Sequence, residues 1–159
     1  GVGAATMTTK ATITGLALGP QGQHPPLHRV GQQALTLVAG KGVQGDKKFG
    51  TSQHRQVNLI NARTYAWFAA SFGRALAAPG AFGEQVVVSD AIDLNWLPIG
   101  AKFRIGDAVL EVASNRTPCE SLAKKVDVDR VSHFVGHVGV LCRVIDGGQI
   151  RVGDAVQLV

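Results

Sequence analysis

The stretch Arg116-Thr-Pro-Cys-Glu-Ser-Leu-Ala-Lys-Lys-Val126 holds the residues best suited to chemistry. Thr117 and Glu120 stand at capping-box spacing, and Pro118 occupies the place of a first helical residue. Leu122 and Val126 supply an apolar stripe, while Lys124 and Lys125 suit the negative end of a helix dipole. These signals predict a helix starting at Thr117 with Cys119 in its first turn. Free backbone N–H groups there, with Arg116 adjacent, favour a thiolate. A thiolate attacks electrophiles, carries sulfur or ligates a soft metal. The competing reading is an inert buried thiol, and the capped, Arg-flanked setting weighs against it. Cys142 differs, since it shares a strand face with Val140 and Val144 and reads as core.

A second candidate region is the glycine-bearing loop 40–55. Gly40-Lys-Gly-Val-Gln-Gly45 has the spacing of a dinucleotide fingerprint, but Asp46-Lys-Lys-Phe-Gly follows it where a helix should begin. Its far end offers a carboxylate, an imidazole and a guanidinium in Asp46, His54 and Arg55, which together with a cysteine would make a polar pocket. Each could equally be a turn residue or a surface charge. His133 and His137 are four apart, yet Gly136 should end that helix and no Glu follows His133, so a zinc site with Cys119 is disfavoured. No Gly-x-Ser-x-Gly elbow signals a serine hydrolase.

The elements that must position these residues read as mostly β. Strands are expected at 11–18, 34–39, 56–60, 101–105 and 108–112, where apolar residues alternate or run together. Two more, at 139–145 and 149–159, flank Asp146-Gly-Gly148 as a hairpin. The pair Arg104-Ile-Gly-Asp107 and Arg151-Val-Gly-Asp154 reads as two uses of one turn chemistry. From Ala62 the period changes: Ala62, Tyr65, Ala66, Ala69, Phe72, Gly73 and Leu76 line a helical face that Asn61 would cap and Pro79-Gly80 would terminate. Trp67 falls on the other face, where packing under a neighbouring loop is favoured over a partner site. Pro25-Pro26 keeps the segment up to Val30 irregular. Seven or more strands with two or three peripheral helices suggest a closed or nearly closed β-barrel, since closure removes exposed edges.

Composition narrows the function classes. The 159 residues suffice for one domain, with residues 1–6, ahead of Met7, reading as a leader left by expression and 7–159 as the domain. A net charge of +5 favours an anionic partner. Aromatics at 6%, none alternating with Lys or Arg on an expected strand, argue against a basic barrel that binds nucleic acid. Two cysteines imply no disulfide framework and make a reducing cytoplasm the expected setting. No apolar run approaches the length of a membrane span.

Taken in order, Gly42-Val-Gln-Gly-Asp46, His54-Arg-Gln-Val-Asn-Leu-Ile60, Pro79-Gly-Ala-Phe-Gly-Glu84, Leu97-Pro-Ile-Gly100, Arg104-Ile-Gly-Asp107, Arg116-Thr-Pro-Cys119 and Arg151-Val-Gly-Asp154 resemble the MOSC domain family, named for the C-terminal region of molybdenum cofactor sulfurases. The resemblance implies a β-barrel, a molybdenum–pterin cofactor and Cys119 as the metal-binding or sulfur-carrying thiolate. It implies Asp46, His54, Arg55, Glu84 and Arg116 as pocket or framework residues. Where the family often has Asn after Phe-Gly-Glu, this chain has Gln85. Two activities follow from the resemblance: reduction of small N-hydroxylated or N-oxygenated substrates, or carriage of sulfur or cofactor on a Cys119 persulfide. No pyridoxal-phosphate desulfurase site is visible in the chain, so sulfur or electrons would come from a separate donor protein.

Overall fold

The computed structural model describes residues 10–22 and 29–159. Residues 1–6, expected to be a leader, and the Pro25-Pro26 segment lie outside them. The strands are β1 (Ile13–Leu18), β2 (Val30–Gln32), β3 (Ala34–Val38), β4 (Gly42–Val43), β5 (Val57–Asn61), β6 (Val86–Val88), β7 (Lys102–Ile105), β8 (Ala108–Asn115), β9 (Val140–Asp146), β10 (Gly148–Arg151) and β11 (Val156–Leu158). Among the described residues two α-helices interrupt them, α1 (Arg63–Phe72) and α2 (Glu120–Lys125), with 3-10 turns at Leu94–Trp96 and Val131–Phe134. The fold is mainly β, as expected.

Eight strands form one sheet in the order β11-β7-β8-β9-β5-β6-β1-β2, and β10-β3-β4 form a second. All pairings are antiparallel except β5 with β6. The sheets do not close into a barrel, which corrects the expected closure. A single bridge, Thr12 to Ala155, ties the entry of β1 to the entry of β11. The register of β1 against β6 shifts between Ile13 and Gly15. An irregularity of that kind bends a strand, so only the entry of β1 meets the β11 edge.

The expected hairpin about Asp146-Gly-Gly148 is also corrected. β9 pairs with β5 and β8, whereas β10 pairs with β3, Ile150 opposite Leu35. The two glycines serve a crossing between sheets. A Cβ on Gly147 would lie 2.7 Å from the Leu37 carbonyl oxygen, and one on Gly148 2.7 Å from that of Asp107.

Strand alternation divides the interior in two. In β5, Val57 and Leu59 enter a core shared with Leu16, Phe103, Leu110, Val140 and Cys142. Ile60 points the other way, into a cluster with Phe68, Phe82, Leu122 and Phe134. All five residues of β5 are therefore buried, on both faces. β7 keeps the cleaner pattern of one solvated face, with Phe103 and Ile105 buried and Lys102 and Arg104 exposed.

α1 and α2 cover the second cluster. The buried positions of α1 are Thr64 and Phe68, and Ala66 of the expected face is exposed. Large aromatics orient this helix more strongly than alanines, because they remove far more apolar surface from water. Trp67 packs beneath a loop as expected, its ring 3.7 Å from that of His137 and stacked on it. Asn61 does not cap α1. Its carboxamide accepts from the Leu94 N–H and donates to the Ser89 and Ile92 carbonyls, fixing the loop beyond β6. The helix ends at Gly73, whose φ of 68° is the left-handed stop that glycine adopts at least cost. No helix among the described residues is long and apolar enough to cross a membrane.

Candidate functional site

The outward face of β5 and its neighbours builds a cavity of about 610 Å³. Because Val57 and Leu59 turn into the core, Gln56 and Asn58 turn into this cavity. Leu141 joins them from β9, Gln85 from the entry to β6, and Gly83 from the turn before it. The loop after β4 contributes Lys48, Thr51, Ser52 and Arg55. The segment from β8 into α2 contributes Arg116, Thr117, Cys119 and Ser121, and Arg29 completes the lining.

Cys119 is exposed at this cavity, at the residue before α2. The predicted helix start at Thr117 is corrected: α2 begins at Glu120, Cys119 has extended φ and ψ of −125° and 164°, and no side chain caps the end. β8 runs on to Asn115, and the Arg116 N–H continues the ladder to the Gly139 carbonyl at 3.0 Å. That pairing holds the chain extended through the positions a capping box would use. The Cys119 carbonyl accepts from Leu122 and Ala123, so the cysteine is fixed to the helix through its backbone. Its side chain is left to the cavity.

Arg116 donates from Nη1 to Asn58 Oδ1 at 2.7 Å. Burial pulls its pKa down to about 10; Cys119 and Glu84 oppose that shift, and Arg29 and Arg55 add to it. Asn58 is itself held, since Nδ2 donates to the Val140 carbonyl at 3.0 Å and its N–H donates to Gln85 Oε1 at 2.8 Å. Gln85 thus fills its position with a backbone-fixing bond and a place in the cavity wall.

Asp46 and Glu84 stand behind the wall. Asp46 is fully buried and accepts from the N–H groups of Gly19 and Lys48 and from Nε and Nη2 of Arg29. Burial alone would raise its carboxyl, but the Arg29 guanidinium and the two amides outweigh it and hold the group below the usual carboxylate range. Arg29 also donates to the Gly83 carbonyl, joining three loops at the cavity. Glu84, equally buried, accepts from the Tyr65 hydroxyl and from the N–H groups of Gly80 and Phe82. It fixes the turn that presents Gly83 and Gln85. Burial, then Glu84, push the Tyr65 hydroxyl well above its ordinary range.

Of the residues singled out from sequence, Cys119, Arg116 and Arg55 line the cavity, Asp46 and Glu84 support it, and His54 does neither. The His54 ring lies 3.1 Å from the Arg143 guanidinium. His133 packs edge-on against Phe72 and His137 stacks on Trp67. Among the described residues no three His, Cys, Asp or Glu side chains gather as a metal cluster. Sequence reasoning missed Arg29, Lys48, Thr51, Ser52, Asn58 and Ser121. Only Asn58 carried a usable signal, an amide in an otherwise apolar strand.

The electrostatics are one-sided. Arg29, Lys48, Arg55 and Arg116 face the cavity and no carboxylate lines it. Asp46 balances Arg29, whereas Lys48 and Arg55 are held by their backbone N–H groups and their charged ends make no hydrogen bond or ion pair among the described residues. Such a lining suits anions by its charge, with hydroxyls beside the cations and a thiol at its edge.

Residues 46–157 match the MOSC domain family. Among curated proteins, the uncharacterized protein YflK of Bacillus subtilis is 33% identical over 133 residues, 79% of this chain and 59% of YflK. Protein YiiM of Escherichia coli is 25% identical over 150 residues, 88% of this chain and 66% of YiiM. The chain thus spans less than two thirds of the length of either relative. Among solved structures, the YUAD protein of Bacillus subtilis superposes with a TM-score of 0.82 at 20% identity, over 94% of this chain and 96% of that one. YiiM from Geobacillus stearothermophilus gives 0.75 at 18%, over 94% and 75%. These structural likenesses concern the fold.

Proposed function

Because the chain belongs to the MOSC domain family, we propose that it binds the molybdenum cofactor in the basic cavity, with Cys119 as the metal's thiolate, and reduces small N-oxygenated substrates. One observation carries the reading: an exposed thiol opens onto a cavity with four cations in its lining and no carboxylate. That donor set fits a phosphate-bearing cofactor with a thiophilic metal. A molybdenum centre supplies two-electron oxidation–reduction when bound. The chain's own residues bind and orient. Lys48 and Arg55 offer cations to anionic groups and Arg116 holds its charge beside Cys119, while Gln56, Asn58 and Gln85 use their carboxamides to fix the wall. Electrons come from a separate donor protein. Asp46 and Glu84 keep the walls in place and touch neither cofactor nor substrate.

Molybdenum content per chain tests this, after expression in a host that makes the cofactor. Near-stoichiometric metal in the wild type and little in Cys119→Ser supports the thiolate ligand, and turnover with an artificial electron donor then supports the reductase. Equally low metal in both proteins overturns the reading.

A second reading rests on the exposure of Cys119 and the burial of Cys142. The Cys142 thiol lies in the core, and burial pushes its pKa far up, so it is no internal partner for a persulfide on Cys119. A sulfur carrier would hold that persulfide for delivery to another protein. Mass spectrometry showing one added sulfur on Cys119 without reductase turnover favours the carrier.

A further inference from the structure

A second cavity, of about 400 Å³, shares Arg116 and Thr117 with the basic one and continues onto Pro118, the residue before Cys119. Its character is different. No carboxylate lines it, and its single cation, Arg116, is engaged with Asn58. Pro118, Val135 and Val138 give it apolar walls, and Asn95 and Asn115 give it two carboxamides. Asn95 spends one amide donor on the Gly136 carbonyl at 2.8 Å. The Asn115 side chain lies at the end of β8, where the strand leaves the sheet for Arg116.

The wall is built rather than loose. Thr64 Oγ1 donates to the His137 carbonyl at 2.9 Å, Asn58 Nδ2 to that of Val138 at 3.4 Å, and the Arg116 N–H to that of Gly139 at 3.0 Å. With the Asn95 bond, four consecutive carbonyls from Gly136 to Gly139 are pinned from four separate elements. Gly139 seals the base, where a Cβ would fall 1.9 Å from the Leu59 carbonyl oxygen. Gly136 faces open space, with nothing within 4 Å of such a Cβ. Trp96, 84% exposed, follows Asn95 in the chain.

We propose that this second cavity binds a small electroneutral organic molecule with an apolar body and one amide-like hydrogen-bonding edge. It is the substrate compartment of a two-part site, and the basic compartment takes the anionic cofactor. The division follows from the lining: multiple cations select charge on one side, and apolar walls with paired carboxamides select a neutral, hydrogen-bonding edge on the other. Arg116 and Thr117, common to both linings, form the partition. The inference rests on the proposed function for what occupies the basic side. The neutral site itself stands on its own residues.

Benzamide serves as the neutral probe, followed by saturation-transfer NMR, and inorganic phosphate as the anionic probe, followed by calorimetry. Wild type should bind both, without competition between them. Asn115→Trp should fill the cavity and Val135→Glu should place a charge in its apolar wall, each weakening benzamide by about ten-fold or more, with phosphate affinity held within about two-fold. Both positions are exposed, and retained phosphate binding certifies that the variants fold. The proposal is overturned if phosphate displaces benzamide, or if both variants bind benzamide as wild type does. It is equally overturned if benzamide gives no saturable response up to about 10 mM, the weakest affinity expected of so small a ligand. Absent phosphate binding in a wild type that binds benzamide as described would count against the basic cavity and leave the neutral one standing.

Discussion

Asp46 carries the largest stake of any single residue near the site. Both its oxygens are used, by Arg29 and by two backbone amides, and its side chain and that of Arg29 are almost wholly buried. Burying such a pair is expensive, so its retention is weak evidence of stabilisation relative to an apolar pair. Removing only one partner is another matter. Asp46→Asn leaves the Arg29 charge uncompensated and should cost about 3–5 kcal/mol in urea unfolding at neutral pH. The pH dependence has a definite sign. The folded carboxyl titrates below its ordinary value of 3.8, so its contribution is fully present above that value and is lost as pH falls through the lower folded one. The stability gap between wild type and Asp46→Asn should therefore narrow through that acid window. A constant gap would show that the proton-linked part of the interaction is absent. Asp46 was visible in the sequence as part of Gly-Val-Gln-Gly-Asp, but its role was not. Its partner Arg29 is 17 residues away, with β2, β3 and β4 between them, and no local pattern marks a pairing of that kind.

At the scale of elements, α2 is the one that sets Cys119, and its six residues cannot hold themselves. Its far end is tied to the rest of the fold. Arg74, just beyond α1, donates to the carbonyls of Val126 and Asp127 while its guanidinium lies 5.0 Å over the Phe68 ring. Arg74→Met keeps the apolar stem and removes the donors, so α2 should fray from its C-terminal end. A loss of about 1–2 kcal/mol is expected by thermal unfolding, with faster amide exchange at 120–126 than in the sheet. Uniform exchange changes across the molecule would deny α2 any separate tether. Lys125 provides a second tie, donating to the Gly80 carbonyl at 2.9 Å. Burial first, with nearby Arg29, Lys47 and Arg116, draws its pKa down to about 8 against the opposing pull of Glu84. An unfolded lysine keeps its proton to about 10.5, so between pH 8 and that value the unfolded chain binds more protons and the Lys125 contribution to stability rises. Wild-type stability minus that of Lys125→Met should increase over this window, and a flat difference would contradict the assignment. The sequence signals for α2 itself were sound in their apolar stripe and basic end. They failed at its start because Thr117-Pro-Cys-Glu looks locally like a cap, while the Arg116 to Gly139 bond that keeps the chain extended is a contact between distant residues. The lost hairpin has the same origin. Asp146-Gly-Gly148 reads as a turn between neighbours until Leu37 and Asp107 come close enough to require the glycines.

For the whole molecule, the decisive property is where the positive charge sits. A net charge of +5 fitted an anionic partner from the start but could equally have described a solvated surface. In the fold, four of the cations converge on one cavity, because β5 turns its apolar residues to the core and its amides outward, and the loops that cross that face bring Arg29, Lys48 and Arg55. Other arginines lie elsewhere. Arg104 and Arg151 are exposed beside the Gly106 and Gly153 turns, where Asp107 and Asp154 accompany them. The two locations allow net charge to be separated from site charge. Lys48→Ala/Arg55→Ala and Arg104→Gln/Arg151→Gln each remove two positive charges from the +5 total. If the cavity recognises the anion through direct, partly desolvated contacts, the first pair should weaken phosphate about ten-fold or more and flatten its dependence on ionic strength. The second pair is exposed and lies outside the cavity lining, so at physiological salt it should change phosphate affinity by less than about two-fold, since salt screens exposed charges that do not touch the anion. Calorimetric titrations at two salt concentrations distinguish the cases. Equal losses in the two double variants would mean that the protein attracts anions by its overall field, and the cavity would then lose its claim to be the place where an anionic cofactor is held.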